Sequence, residues 1–122
     1  MRVAVSATGS RLTDRVDPRF GRCSCFVIYD TESGKVETLD NSAAASGGGA
    51  GVQASQAVAG AKVDVVLTGN LGPNAYRVFE TAGIKCYTGC AGTVEEAIKK
   101  FTNGELEPAG GASVGAHHGI RR

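Results

Sequence analysis

Glycine gathers at three places in this chain, at residues 47–51, 69–72 and 89–92, and each group leads into a stretch with helical character. The second and third groups also directly follow a short apolar run, residues 63–67 and 84–87. Strand, glycine loop and helix in regular succession predict an α/β domain with parallel crossovers. The run at 63–67 is nearly continuous in apolar character, as a central strand covered on both faces requires. Pro73 fits the first turn of one helix and Gly83 the position after its end, while Thr93 and Glu96 form a capping box for the last helix.

The first forty residues read differently. Residues 3–7 form a buried strand, residues 25–29 a second, and residues 35–39 an alternating edge strand reached through a hairpin turn at 30–34. Residues 52–61 form a helix with Ala54, Ala57, Val58 and Ala61 on its core face. The expected fold is a single three-layer domain with a five-stranded mixed sheet and helices on its faces. It covers residues 1–104, followed by a flexible tail of Gly and Ala at 105–122 that carries His117 and His118. With 122 residues there is no room for a second domain.

In this topology the loops at 8–22, 41–51, 69–72 and 88–92 share one edge of the sheet, at the carboxyl ends of the parallel strands, where open α/β sheets bind ligands. Glycine removes side-chain bulk there, and the N–H groups that open three helices favour an anion. The expected contacts are Gly47, Gly48, Gly49, Gly51, Gly69, Asn70, Leu71, Gly89 and Gly92, with Arg11, Arg15, Arg19 and Arg22 adding positive charge. A solvated arginine loop and a flexible glycine linker are the plainer alternatives. No Lys-Ser or Lys-Thr pair follows the glycines, which ranks a phosphate loop of the Walker type below both alternatives.

Thirteen basic residues against twelve acidic ones leave a net charge of +1, which argues against general binding to nucleic acid or a membrane surface. No apolar stretch approaches the ~20 residues of a spanning helix, and the N-terminus reads as a strand rather than a secretory signal. A reducing cytoplasm is the expected location, and the four cysteines are free thiols or ligands rather than a disulfide framework. Cys23 and Cys25 alternate about Ser24, which predicts a shared face of the sheet. They form either a thiolate pair or two small buried hydrophobes. Cys90, in the third glycine loop, and the tail imidazoles of His117 and His118 are further candidate metal ligands.

Three segments taken together resemble the dinitrogenase iron-molybdenum cofactor biosynthesis family. They are Asp17-Pro18-Arg19-Phe20-Gly21, the glycine run at 47–51, and Thr68-Gly69-Asn70-Leu71-Gly72-Pro73-Asn74-Ala75 followed by Gly83-Ile84. The resemblance extends over about residues 1–104 and is nearest to the small stand-alone orange-protein subgroup. It implies a ribonuclease H-like motif and non-catalytic carriage of a metal cluster. The implied cargo is a molybdenum-copper-sulfur cluster or a related molybdenum or iron-sulfur cluster held non-covalently, such as a precursor of the iron-molybdenum cofactor. Cluster-assembly or acceptor proteins are the implied partners. The residues alone also allow a nucleotide- or phosphate-binding regulatory module. A ribonuclease H-like nuclease requires clustered carboxylates, and Asp40 and Asp64 fall at opposite ends of their strands.

Overall fold

A computed structural model of the chain describes residues 1–42 and 49–110. The strands are β1 (Arg2–Ala7), β2 (Cys25–Asp30), β3 (Val36–Asp40), β4 (Val65–Leu67) and β5 (Lys85–Tyr87), and the helices are α1 (Ala50–Gly60), α2 (Pro73–Ala82) and α3 (Val94–Thr102). A short 3₁₀ turn, Phe20–Arg22, precedes β2. The sheet runs in the order β3-β2-β1-β4-β5. β1–β2 and β2–β3 pair antiparallel, whereas β1–β4 and β4–β5 pair parallel. This is the mixed five-stranded sheet that the chain order predicts.

Alternation along the strands divides the core into two layers. Ala4, Phe26, Ile28, Val66 and Cys86 face one side, where Ala54 and Val58 of α1 and Ala75 and Phe79 of α2 cover them. Val3, Val5, Val27, Leu67 and Tyr87 face the other side, under Val94, Ala97 and Ile98 of α3. Phe20 reaches into the first layer, with its ring 5.1 Å from Phe26 and 5.4 Å from Phe79. Such aromatic contacts add to the gain from burial alone. The capping box also forms as expected: Glu96 N–H donates to Thr93 Oγ1 at 3.1 Å and Thr93 N–H to Glu96 Oε1 at 2.9 Å. Among the described residues, no helix is long and apolar enough to cross a membrane.

Three local expectations need correction. α1 begins at Ala50, so Gly51 lies inside its first turn rather than in the loop before it. Ala57 faces solvent and Ser55 takes the buried position, because the buried face of the helix centres on Ala54, Ser55 and Val58 and Ala57 lies roughly 100° round the axis from it. Cys23 and Cys25 do not share a face: Cys23 packs in the α1–α2 layer and Cys25 in the α3 layer. Pleated alternation starts only at Cys25, and Cys23 sits at the exit of the 3₁₀ turn, where period-two geometry does not apply.

All four thiols are buried. Cys23 donates to the carbonyl of Phe20 at 3.2 Å, and burial pushes its pKa up to about 12. Burial raises Cys86 to about 12 as well, and shifts Cys25 and Cys90 in the same direction. A raised thiol pKa favours folding below the ordinary thiol range. That contribution is lost as pH climbs from 9.0 to about 12, because only the unfolded chain ionises readily.

Two outcomes are expected. A thiol-reactive dye at pH 8 labels the native protein far more slowly than the urea-unfolded chain, and the thermal midpoint falls between pH 9.0 and about 12. Rapid native labelling of Cys23 or Cys86 contradicts this burial. The glycines supply an opposed pair. A side-chain carbon on Gly69 would stand 2.6 Å from Pro18 Cα, whereas one on helical Gly60 meets nothing within 4 Å. Gly69→Ala is expected to destabilise by about 1–3 kcal/mol and Gly60→Ala to stabilise by ~0.5–1 kcal/mol, both read from urea unfolding midpoints.

Candidate functional site

The long loop after β1 returns to the sheet at Asp17. Its N–H donates to the carbonyl of Ser6 at 2.9 Å, and its carbonyl accepts from Ser6 Oγ at 2.8 Å. Ser6 Oγ also lies 2.7 Å from Thr68 Oγ1, which ties the ends of β1 and β4 to this segment. The Asp17 side chain is 5% exposed and accepts three hydrogen bonds from Arg19: the backbone N–H at 2.9 Å, Nε at 3.2 Å and Nη2 at 3.3 Å. Pro18 holds the preceding residue extended, and the Asp carboxylate closes the turn over it. Arg19 is thereby fixed at its base while its guanidinium remains at the surface.

The next residues settle against the helices. Arg19 pairs with Asn70 in a parallel bridge, and Asn70 N–H donates to the carbonyl of Pro18 at 2.8 Å. Gly21 lies so close to α1 that a side-chain carbon there would stand 3.0 Å from Gly51 N and Cα. Asn41 Nδ2 clamps the turn by donating to the carbonyls of Gly21 at 3.1 Å and Cys23 at 2.9 Å.

These contacts frame a cleft of about 530 Å³ between the 3₁₀ turn and the N-termini of α1 and α2. Gly49, at a φ of 72°, begins α1, and Gly72 begins α2 with Pro73 in its first turn. Neither helix start has a side-chain cap. The opening N–H groups of a helix have no partner within it, which leaves those of Ala50, Gly51, Val52, Asn74 and Ala75 directed at the cleft end. Both helix dipoles present their positive ends there, beside the Arg19 guanidinium. Among the described residues, no Asp, Glu, Cys or His lines this cleft.

α3 is built in the opposite way. Val94 and Glu95 donate their N–H groups to the carbonyls of Asp14 and Leu12 at 2.8 and 2.9 Å, and the capping box takes those of Thr93 and Glu96. Its N-terminus is filled by the chain itself. An anion-accepting edge of three helix starts therefore reduces to two.

The expected site residues divide accordingly. Arg19, Gly49, Gly51 and Asn70 line the cleft. Leu71 is fully buried in the layer beneath it, and Gly69 supports Pro18. Arg22 is exposed at the end of the 3₁₀ turn, one residue beyond cleft-lining Gly21. Arg11 and Arg15 belong to the α3 side, where Arg11 N–H donates to Asp14 Oδ2 and Arg15 bridges to Thr93. Gly92 accepts from Val16 N–H on that side, and Gly89 N–H donates to the carbonyl of Gly69. Cys23 and Cys90 lie in different core layers and do not meet. Gly47, Gly48, His117 and His118 lie outside the described residues.

Sequence reasoning missed Asp17 as an anchor and Asn74 and Ala75 as cleft residues, although Gly72-Pro73 already marked a helix start without a capping side chain. Among the described residues, no group of three or more His, Cys, Asp or Glu side chains is placed to hold a metal ion. Asp64 accepts from Arg2 N–H at the edge opposite the cleft, so it takes no part in a carboxylate cluster with Asp40.

Known proteins share this architecture. The apo form of the orange protein from Desulfovibrio gigas is 38% identical and superposes with a TM-score of 0.89, covering 91% of this chain and 94% of its own. A NifB-like protein from Thermotoga, solved by NMR, is 40% identical with a TM-score of 0.77, over 88% of this chain and 91% of its own. An uncharacterized protein of Methanocaldococcus jannaschii is 34% identical over 110 residues, which is 88% of this chain and 90% of that relative. Residues 1–104 match the family described as dinitrogenase iron-molybdenum cofactor. The chain belongs to the dinitrogenase iron-molybdenum cofactor family.

Proposed function

We propose that this protein binds and carries a preformed anionic metal-sulfur cluster in the cleft between α1 and α2, without catalysing a reaction on it. One observation carries the reading: two uncapped helix N-termini and the Arg19 guanidinium meet in a cleft that has no carboxylate, thiolate or imidazole among the described residues lining it. Such a lining offers hydrogen-bond donors and positive potential but no inner-sphere metal ligands. The cargo must bring its own negative charge and its own ligands to the metal. Sulfide-ligated molybdenum, alone or with copper or iron, meets both requirements, and membership of a cofactor family supports the same ligand class. The donors hold the sulfido edge non-covalently, so release to an acceptor or cluster-assembly protein requires no metal–protein bond to break.

The reading is tested by incubating apo-protein anaerobically with tetrathiomolybdate and Cu(I), desalting, and measuring the visible spectrum and metal content. A retained chromophore is expected. Loss of all metal on desalting, together with micromolar binding of a nucleotide in calorimetry, contradicts the proposal.

Substitutions sharpen the test. Gly51→Asp places a carboxylate in the first turn of α1, where a side-chain carbon meets, among the described residues, the Ala75 methyl at 4.0 Å. The acid complements the helix dipole, so stability is expected to hold or rise by ~0.3–1 kcal/mol while cluster retention is lost. Arg19→Gln is expected to weaken retention about tenfold, the scale of one charge-assisted hydrogen bond. Arg11→Gln with Arg15→Gln, on the α3 side, is expected to leave retention unchanged. Equal loss in both arginine variants contradicts the placement of the site.

A further inference from the structure

The two edges of the sheet are finished differently. At β5 the chain covers its own edge: Ala109 N–H donates at 2.7 Å to the carbonyl of Cys86, the middle residue of that strand. At β3, the other edge, no strand or loop among the described residues pairs with the outer side. Bare edges are usually blunted by a proline, a bulge or unbalanced charge. β3 has no proline, and its register with β2 runs without interruption from Cys25 opposite Asp40 to Tyr29 opposite Val36. The charge at its centre is balanced within the chain, since Glu37 Oε2 lies 3.2 Å from Arg2 Nη1 and 3.7 Å from Lys35 Nζ. Val36, one residue before it, is 41% exposed.

Hydrogen-bond alternation shows which groups this edge offers. Asp30 N–H donates to the carbonyl of Lys35 at 3.0 Å and Asn41 N–H to that of Ser24 at 3.3 Å, so positions 35 and 41 bond towards β2. Bonded and non-bonded pairs alternate along an antiparallel ladder. Glu37 and Leu39 therefore bond to β2, and the N–H and C=O groups of Val36, Thr38 and Asp40 turn outward. A second copy of β3 can take those groups across a two-fold axis perpendicular to the sheet, which keeps each face of the sheet on its own side. Centring the axis on Thr38 sets Val36 against Asp40, Glu37 against Leu39 and Thr38 against itself. Every residue of β3 then opposes another residue of β3. Centring on Glu37 or Asp40 sets two like charges directly opposite each other, which is unfavourable. Centring on Leu39 leaves Val36 and Glu37 beyond the end of the facing strand.

The geometry points to a reversible homodimer in which two copies of β3 pair antiparallel about Thr38 and join their sheets into one. About six inter-chain N–H···O=C bonds form, two for each bonded pair. The two leucines at position 39 lie diagonal to each other on the α1 side, within reach of contact. The strands run in opposite directions, so the two clefts lie at opposite ends of the joined sheet. A ladder of five residues is short, and association therefore depends on protein concentration.

Sedimentation equilibrium of the apo-protein from micromolar to millimolar concentration is expected to show a monomer–dimer equilibrium. In amide hydrogen exchange, Val36, Thr38 and Asp40 slow as concentration rises, whereas Glu37 and Leu39 are slow throughout. Thr38→Pro removes the N–H at the two-fold axis, an outward group that the monomer does not use. It is expected to abolish the dimer while the thermal midpoint at low concentration holds. Val36→Lys acts in the opposite direction, because the new ammonium lies against the Asp40 carboxylate of the other copy. Dimerisation is expected to strengthen about fivefold at low salt and to lose that gain at high salt. A chain that stays monomeric throughout, or a dimer that survives Thr38→Pro, overturns the interface. Unchanged or weaker association of Val36→Lys overturns the register. Val36→Lys and the exchange pattern decide the matter even where Thr38→Pro lowers stability.

Discussion

The architecture of the cleft depends on Asp17. Its backbone is held at the end of β1 by Ser6, its buried carboxylate takes the backbone and guanidinium of Arg19, and the residues that follow have little freedom left. Phe20 fills the aromatic cluster between sheet and helices, and Gly21 lies against the backbone of Gly51. A buried carboxylate is unfavourable unless its lone pairs are satisfied, and the contacts from Arg19 satisfy them. One side chain thus converts a loop into a fixed wall of the cleft.

The two sides of the sheet show how one fold makes an open and a closed helix terminus. α3 receives carbonyls from the loop after β1 together with a Thr-Glu capping box, and its dipole is satisfied within the chain. α1 and α2 begin at glycines that cannot cap with a side chain, and Pro73 removes one donor without supplying an acceptor. The asymmetry confines an anion to the α1–α2 side. The arginines divide in the same way: Arg19 belongs to the cleft, while Arg11 and Arg15 support the covering of α3.

Much of the fold was legible in the sequence because its signals are local. Pro73 and Gly83 bracket α2, Thr93 and Glu96 cap α3, and the apolar run before Thr68 marks a central strand, all through interactions within a few residues. The site was legible only as an edge of the sheet. Which loops meet depends on tertiary contacts such as Gly69 under Pro18 and Asn70 on Arg19, and no spacing encodes them. The cysteines mislead for a related reason. Cys23 and Cys25 look like a same-face pair until the 3₁₀ turn ahead of β2 rotates Cys23 into the opposite layer. The capping box of α3 was legible, but the two carbonyls that complete it were hidden, because Leu12 and Asp14 lie some eighty residues earlier.

The central claim is that an anionic metal-sulfur cargo sits on the N-termini of α1 and α2. Its most direct measurement is an amide chemical-shift titration of isotopically labelled apo-protein with tetrathiomolybdate, a diamagnetic probe. The account predicts that the largest shifts fall on the N–H groups of Arg19, Ala50, Gly51, Val52, Asn74 and Ala75, with those of Thr93 to Glu96 nearly unmoved. Shifts concentrated at the start of α3 and along Arg11 to Arg15, with the α1 and α2 termini silent, would contradict it.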